Sequence, residues 1–172
     1  VTIGIDVQGR KVDAIKAGKS YIMDVPSERV AALVRAKRLD ATTDYARVAE
    51  LDTINICVPT PLRKTREPDL SFIVSATESL APFVHPGMVV VLESSTYPGT
   101  TREMVLPRLA GGNGLRAGED IFIAFSPERV DPGNAVFPAD LPKNFVAAEK
   151  HQVNAGGPAS RRAHHAVNGA GG

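Results

Sequence analysis

The sequence contains no tryptophan and only 5% aromatic residues, so it offers few flat faces on which nucleic-acid bases could stack. It has no basic excess either: 20 lysines and arginines stand against 19 aspartates and glutamates, a net charge of +1. The electrostatic footprint of a nucleic-acid binder is therefore missing. A single cysteine, Cys57, excludes an internal disulfide and fits a reducing compartment, the cytoplasm. No apolar run reaches the roughly 20 residues that cross a bilayer, and no signal-peptide pattern opens the chain, so no membrane contact is expected. His151, His164 and His165 lack the spacing and partners of a metal site.

What remains is 172 residues, 43% of them hydrophobic, enough for one domain with a true core. Met88 to Leu92 is a short apolar run rich in β-branched residues, the pattern of a buried parallel strand. It leads through Glu93-Ser94-Ser95-Thr96 and the turn Pro98-Gly99 to Thr100 and Glu103, spaced as a capping box that opens a helix with Met104, Val105 and Leu109 inward. In open α/β sheets ligands sit beyond the carboxyl ends of the strands, which is where this hydroxyl-rich loop falls.

The same alternation runs through the chain. Val1 to Ile5 reads as a strand ending at Asp6, followed by a helix carrying Val12 and Ile15 that Gly18 closes. Pro26 and Ser27 start a second helix with Val30, Leu33 and Val34 on its apolar face, and Leu39 to Thr42 is a short strand. Thr53 to Val58 is a buried strand broken by Pro59-Thr60-Pro61, with Cys57 an inert buried thiol inside it. Asp69 caps a helix that turns Phe72, Ile73, Ala76 and Leu80 inward, and His85 is expected to be exposed in a turn. Ile121 to Phe125 is a further strand, exiting into Ser126 to Asn134. Strands alternating with helices at this spacing predict a doubly wound parallel sheet. From Ala135 the composition changes, and residues 150–172 hold too few large apolar side chains to offset the entropy of ordering them. The expected division is 1–134 as the α/β domain and 135–172 as a low-complexity tail, disordered or frame-shifted.

Four stretches, ICVPTPL, EPDL, LESSTYPGTT and FSPERVDPGN, occur in one order and together resemble the N-terminal domain of the UDP-sugar 6-dehydrogenases, within the UDP-glucose/GDP-mannose dehydrogenase family. The resemblance covers roughly Val1 to Asn134 and is nearest to the branch acting on UDP-N-acetylhexosamines. It implies a Rossmann-like fold, NAD as cofactor, and oxidation of a sugar C6 alcohol to a carboxylate with two NAD and a cysteine-bound thioester. The parent enzyme would be a homo-oligomer that makes a uronic acid for cell-surface polysaccharide from a UDP-sugar.

Carried over position by position, the resemblance makes Asp6 the carboxylate that binds the adenosine ribose hydroxyls and repels a 2′-phosphate, with Lys11 beside it. It places Val58, Pro59 and Thr60 against the cofactor. Thr96 corresponds to the threonine that holds the catalytic water at the cofactor, and Glu128 to the glutamate that positions or activates that water. Where the UDP-glucose branch has a second glutamate, this chain has Pro132. Glu93 carries little weight as a cofactor contact, and Cys57 does not match the family nucleophile.

The family's first strand, its G-x-G-x-x-G turn, the dimer helix and the catalytic cysteine have no counterpart in these residues. The chain therefore reads as a piece whose beginning is missing, with a reading-frame shift shortly after Asn134. Alone it is expected to aggregate or partly unfold, to bind NAD too weakly to detect and to oxidise no UDP-sugar. The alternative is a non-catalytic truncated product, or a nucleotide-binding module without enzyme activity.

Overall fold

The computed structural model describes residues 1–63 and 67–126. Glu128, Pro132 and the expected tail over 135–172 lie outside the described residues. Among the described residues five strands form two parallel sheets, with helices between successive strands. The first sheet pairs β1 (Thr2–Ile5) with β2 (Leu39–Thr42), in register Thr2↔Leu39 to Ile5↔Thr42. The second has the order β3 (Thr53–Ile56), β4 (Val89–Leu92), β5 (Phe122–Phe125), with Ile56 opposite Leu92 and Leu92 opposite Phe125. This is the parallel α/β architecture that the alternation of apolar runs predicts. No ladder joins β1 to β3, so each has one edge without a strand partner among the described residues.

Helices α1 (Gly9–Lys16) and α2 (Ser27–Arg35) connect β1 to β2. Gly18 closes α1 at φ +70°, and an added Cβ would sit 2.9 Å from that of Ala31, so this glycine serves both the left-handed turn and the close approach of α2. The second sheet carries α3 (Ser71–Leu80) and α4 (Leu106–Gly111), whose Ile73, Leu80 and Leu109 join Ile54, Ile56, Val90, Leu92, Val105 and Ile121 in one core. Ile5 packs against that core and ties the two-stranded sheet to it.

Several expected inward positions are not buried. Leu33 of α2 is 41% exposed and Phe72 of α3 is 46% exposed, because neither helix face meets a second layer on that side. Thr77 takes the inward place in α3 instead, its hydroxyl donating to the Ile73 carbonyl. Cys57 is exposed, since β3 ends at Ile56 and alternates between a buried face (Ile54, Ile56) and an open one. His85 is half-buried, with Nε2 3.1 Å from the Leu51 carbonyl oxygen.

The Thr100 and Glu103 pair does not form a capping box. Thr100 already has helical dihedrals (φ −52°, ψ −44°), whereas a capping residue needs an extended backbone. Instead, Thr101–Val105 forms a π-helical turn before α4. Pro107 explains the widening: it has no N–H to give the carbonyl four residues back, and its ring would strike that carbonyl in a regular helix.

Candidate functional site

The site is built at the carboxyl ends of β1, β3 and β4. At the end of β1 the chain turns through Asp6, whose Oδ1 accepts from the Gln8 N–H at 2.8 Å and whose Oδ2 accepts from Lys11 Nζ at 2.9 Å. The lysine comes from the first turns of α1, five residues on, and its ammonium also lies 5.7 Å from the centroid of the Tyr21 ring. Burial raises the Asp6 pKa, but the Gln8 hydrogen bond and the Lys11 and Arg10 charges outweigh it and hold the carboxyl below its ordinary value. Asp6 is thus ionised at neutral pH, and each of its oxygens keeps a second acceptor direction for an incoming hydroxyl.

The exits of β3 and β4 are fastened to each other. Glu93 N–H donates to the Ile56 carbonyl at 2.9 Å, continuing the ladder by one residue. Ser94, buried, then takes over from the backbone: its Oγ accepts from the Val58 N–H at 2.9 Å and donates to the Val58 carbonyl at 2.7 Å. One side chain so satisfies both backbone groups of Val58 just before Pro59, which has no N–H to offer. Glu93 faces the open side of the sheet, where Oε2 accepts from Cys57 Sγ at 3.1 Å and Oε1 lies 3.4 Å from Asn55 Nδ2.

Thr60 and Thr96 are both half-buried in these adjoining loops. Thr96 Oγ1 is 2.6 Å from Thr100 Oγ1, and Thr100 is almost wholly enclosed. Gly99 makes the turn between them at φ +93°, with the Glu103 carboxylate folded over it where a Cβ would come within 2.7 Å of Oε1. A cleft of about 430 Å³ lined by Arg63, Glu67, Pro68, Leu70, Tyr97 and Met104 adjoins the same loop. Its Arg63 is paired with Asp69, which is held to a pKa of about 2 by the Ser71 N–H and then by Arg63.

Of the residues singled out in sequence, the structure thus joins Asp6 to Lys11, and joins the Val58-Pro59-Thr60 loop to the Thr96 loop through Ser94. Sequence reasoning missed Ser94 and assigned Thr100 to the helix cap. Among the described residues no group of histidine, cysteine, aspartate or glutamate could hold a metal ion. No helix among them is long and apolar enough to cross a membrane.

A parallel α/β domain with a strand-end carboxylate and hydroxyl-bearing loops beyond neighbouring strands defines a dinucleotide-binding class of protein. Residues 1–157 match the NAD binding domain of the UDP-glucose/GDP-mannose dehydrogenase family, and the chain belongs to that family. It is 32% identical over 132 residues to the UDP-N-acetyl-D-glucosamine 6-dehydrogenase of Salmonella typhi, covering 77% of this chain and 30% of that one. It is 34% identical over 141 residues to the UDP-N-acetyl-D-mannosamine dehydrogenase of Yersinia pestis, covering 78% and 33%. Among solved structures, a GDP-mannose dehydrogenase from Pseudomonas aeruginosa superimposes with a TM-score of 0.71 at 31% identity, over 78% of this chain and 32% of that chain. The chain spans about a third of the length of the curated relatives it matches.

Proposed function

We propose that these residues form part of the NAD site of a nucleotide-sugar 6-dehydrogenase, with Asp6 and Lys11 on the adenosine ribose and the Val58–Thr60 and Thr96 loops at the nicotinamide end. The observation that carries this reading is the Ser94 fastening, which brings the two hydroxyl-bearing strand exits into one place. The donor set suits the group: an ionised carboxylate with spare acceptor directions matches a ribose diol and opposes a 2′-phosphate.

NAD would be held by Asp6 and the Val58–Thr60 and Thr96 loops and would supply the acceptor for a hydride from the sugar carbon. The chain's own part is then to hold the ribose through Asp6, to keep Lys11 against that carboxylate, and to fix water at Thr96 with Glu128 as its base. The substrate is a UDP-sugar, and the absence of a second glutamate at Pro132 favours an N-acetylhexosamine. The parent enzyme is a cytoplasmic homo-oligomer; the exposed Cys57 thiol suits a reducing compartment.

The reading is tested by a chimera in which residues 1–134 replace the stretch they align with in the Pseudomonas aeruginosa UDP-N-acetyl-D-glucosamine 6-dehydrogenase. NADH should form with UDP-N-acetylglucosamine. Asp6→Ala should raise the KM for NAD about tenfold, the scale of one charge-assisted hydrogen bond, and narrow the preference over NADP. Thr96→Ala and Glu128→Gln should lower kcat instead. An inactive chimera that still binds NAD would favour a nucleotide-binding module without catalysis.

A further inference from the structure

Counting hydroxyl protons in the Thr96 loop assigns a direction that heavy-atom positions alone leave open. Thr100 Oγ1 lies 2.9 Å from the Tyr97 carbonyl oxygen, which can only accept, so the single Thr100 proton goes there. The 2.6 Å contact between Thr96 and Thr100 must then be made by the Thr96 proton, donated to Thr100 Oγ1. Both bonds are satisfied at once only in this arrangement. Thr100 is 1% exposed, so its own hydroxyl is closed to water, and the Tyr97 carbonyl that takes its proton accepts the Thr100 N–H as well, at 3.3 Å. The Thr96 hydroxyl therefore has its proton turned inward, and only its lone pairs face the loop.

We propose that Thr100 is a positioning residue that fixes Thr96 as a hydrogen-bond acceptor toward the site. Thr96 then receives a proton-bearing ligand group, a water or an alcohol O–H, and does not stabilise a carbonyl oxygen or an oxyanion by donation. This rests on the reading of the loop as the water and cofactor site. It also explains why a threonine shaped like a helix cap is not used as one: its oxygen and proton are both committed to Thr96 and Tyr97.

The test is side-chain NMR of threonines in the chimera, where the instability expected of the isolated chain does not enter. Thr96 should occupy one χ1 rotamer, with a slowly exchanging hydroxyl proton, in the unsubstituted chimera and in Thr100→Ser. In Thr100→Val it should average over rotamers and lose that proton. Thr96→Val should leave the Thr100 hydroxyl slow, because that proton goes to Tyr97. A Thr96 that averages in the unsubstituted chimera, stays fixed in Thr100→Val, or whose removal frees the Thr100 proton overturns the proposal. Kinetics of the same chimera supply a second measurement: Thr100→Val should lower kcat about tenfold with the KM for NAD unchanged, and Thr100→Ser should restore it. Native kcat in Thr100→Val, or equal loss in both variants, contradicts it. Failure of the cofactor reading would show instead as a chimera inactive with native Thr100, while the rotamer result stood.

Discussion

In the unit from β1 to β2 the buried apolar side chains are Val12, Val30 and Ala41, while Val1, Val7, Tyr21, Ile22, Met23 and Leu33 remain exposed. In the unit from β3 to β5, Ile73, Met88, Val90, Leu92, Val105, Leu109 and Ile121 are completely enclosed. The two units carry the two halves of the candidate site on unequal supports. Around Asp6 the backbone is held to the Thr42 carbonyl and the carboxylate is set by bonds to residues two to five apart in sequence; around Thr96 the loop is set by packing and by a serine side chain that reaches across 36 residues. Substitutions in the second unit should therefore disturb the site through the fold, and those in the first should act on binding with little loss of stability.

The largest difference should come from Leu92→Ala against Leu33→Ala. Leu92 is fully enclosed in the core that holds Ile73 and Leu109, and its truncation is expected to cost about 2 to 5 kcal/mol through lost burial and a cavity. Leu33 is 41% exposed, and its truncation should fall within about 0.5 kcal/mol. Chemical denaturation of both variants decides it; comparable losses would mean that the first unit is packed as tightly as the second.

Next in size is Ser94→Ala, which strips both backbone groups of Val58 of their partner. Leaving a buried group unpaired costs about 1 to 3 kcal/mol, and Val58 is half-buried, so the loss should fall at the low end of that range. Hydrogen exchange at the Val58 amide should accelerate well beyond that at Ile54, which stays in the ladder. If the Val58 amide remains as protected as in the native chain, the fastening is not what holds the two loops together.

Gly18→Ala probes the first unit at the one place where close packing is demanded. Forcing φ +70° on an alanine and pressing its Cβ against Ala31 is expected to cost about 1 to 2 kcal/mol. Far-ultraviolet circular dichroism during thermal unfolding would register it. A neutral result would show that α1 and α2 slide apart at little cost, which would make the first unit looser still.

Much of this division is readable in the sequence, for physical reasons that also mark where reading stops. Strand positions follow from short β-branched runs, and Asp6, Pro59 and Thr96 fall at strand exits because apolar patterning ends there. Cys57 was assigned to the core because TINICV is apolar at four of six positions; only the tertiary structure shows that the odd face of β3 is open. Thr100 and Glu103 match a capping box in spacing, but the Pro98-Gly99 turn delivers the chain already in helical dihedrals, so the Thr100 hydroxyl finds other partners. Ser94 gives no signal at all, since nothing local says which strand its hydroxyl will reach.

The smallest effect on stability, and the sharpest on the comparison, concerns one carboxylate in each unit, Asp6 at the exit of β1 and Asp69 just ahead of α3. Asp6 and Asp69 both have pKa values below the ordinary carboxylate range, with different leading causes. For Asp69 the Ser71 N–H comes first and Arg63 second, so Arg63→Met should raise its titration from about 2 while the Ser71 bond keeps it below the ordinary carboxylate range. For Asp6 burial opposes ionisation and is overcome by the Gln8 N–H first and then by Lys11 and Arg10, so Lys11→Met should carry its midpoint upward, toward the ordinary value of about 3.9. The sign follows from linkage: a carboxyl with a depressed folded pKa adds stability that is complete above about pH 4 and lost as pH falls through its folded pKa. Native stability should thus decline below about pH 4, with the Asp69 contribution persisting to about pH 2. Carboxyl carbon NMR between these limits measures both midpoints directly. If Lys11→Met leaves Asp6 where it was, the Gln8 N–H alone sets that carboxylate, and the adenosine-side half of the site does not depend on its lysine.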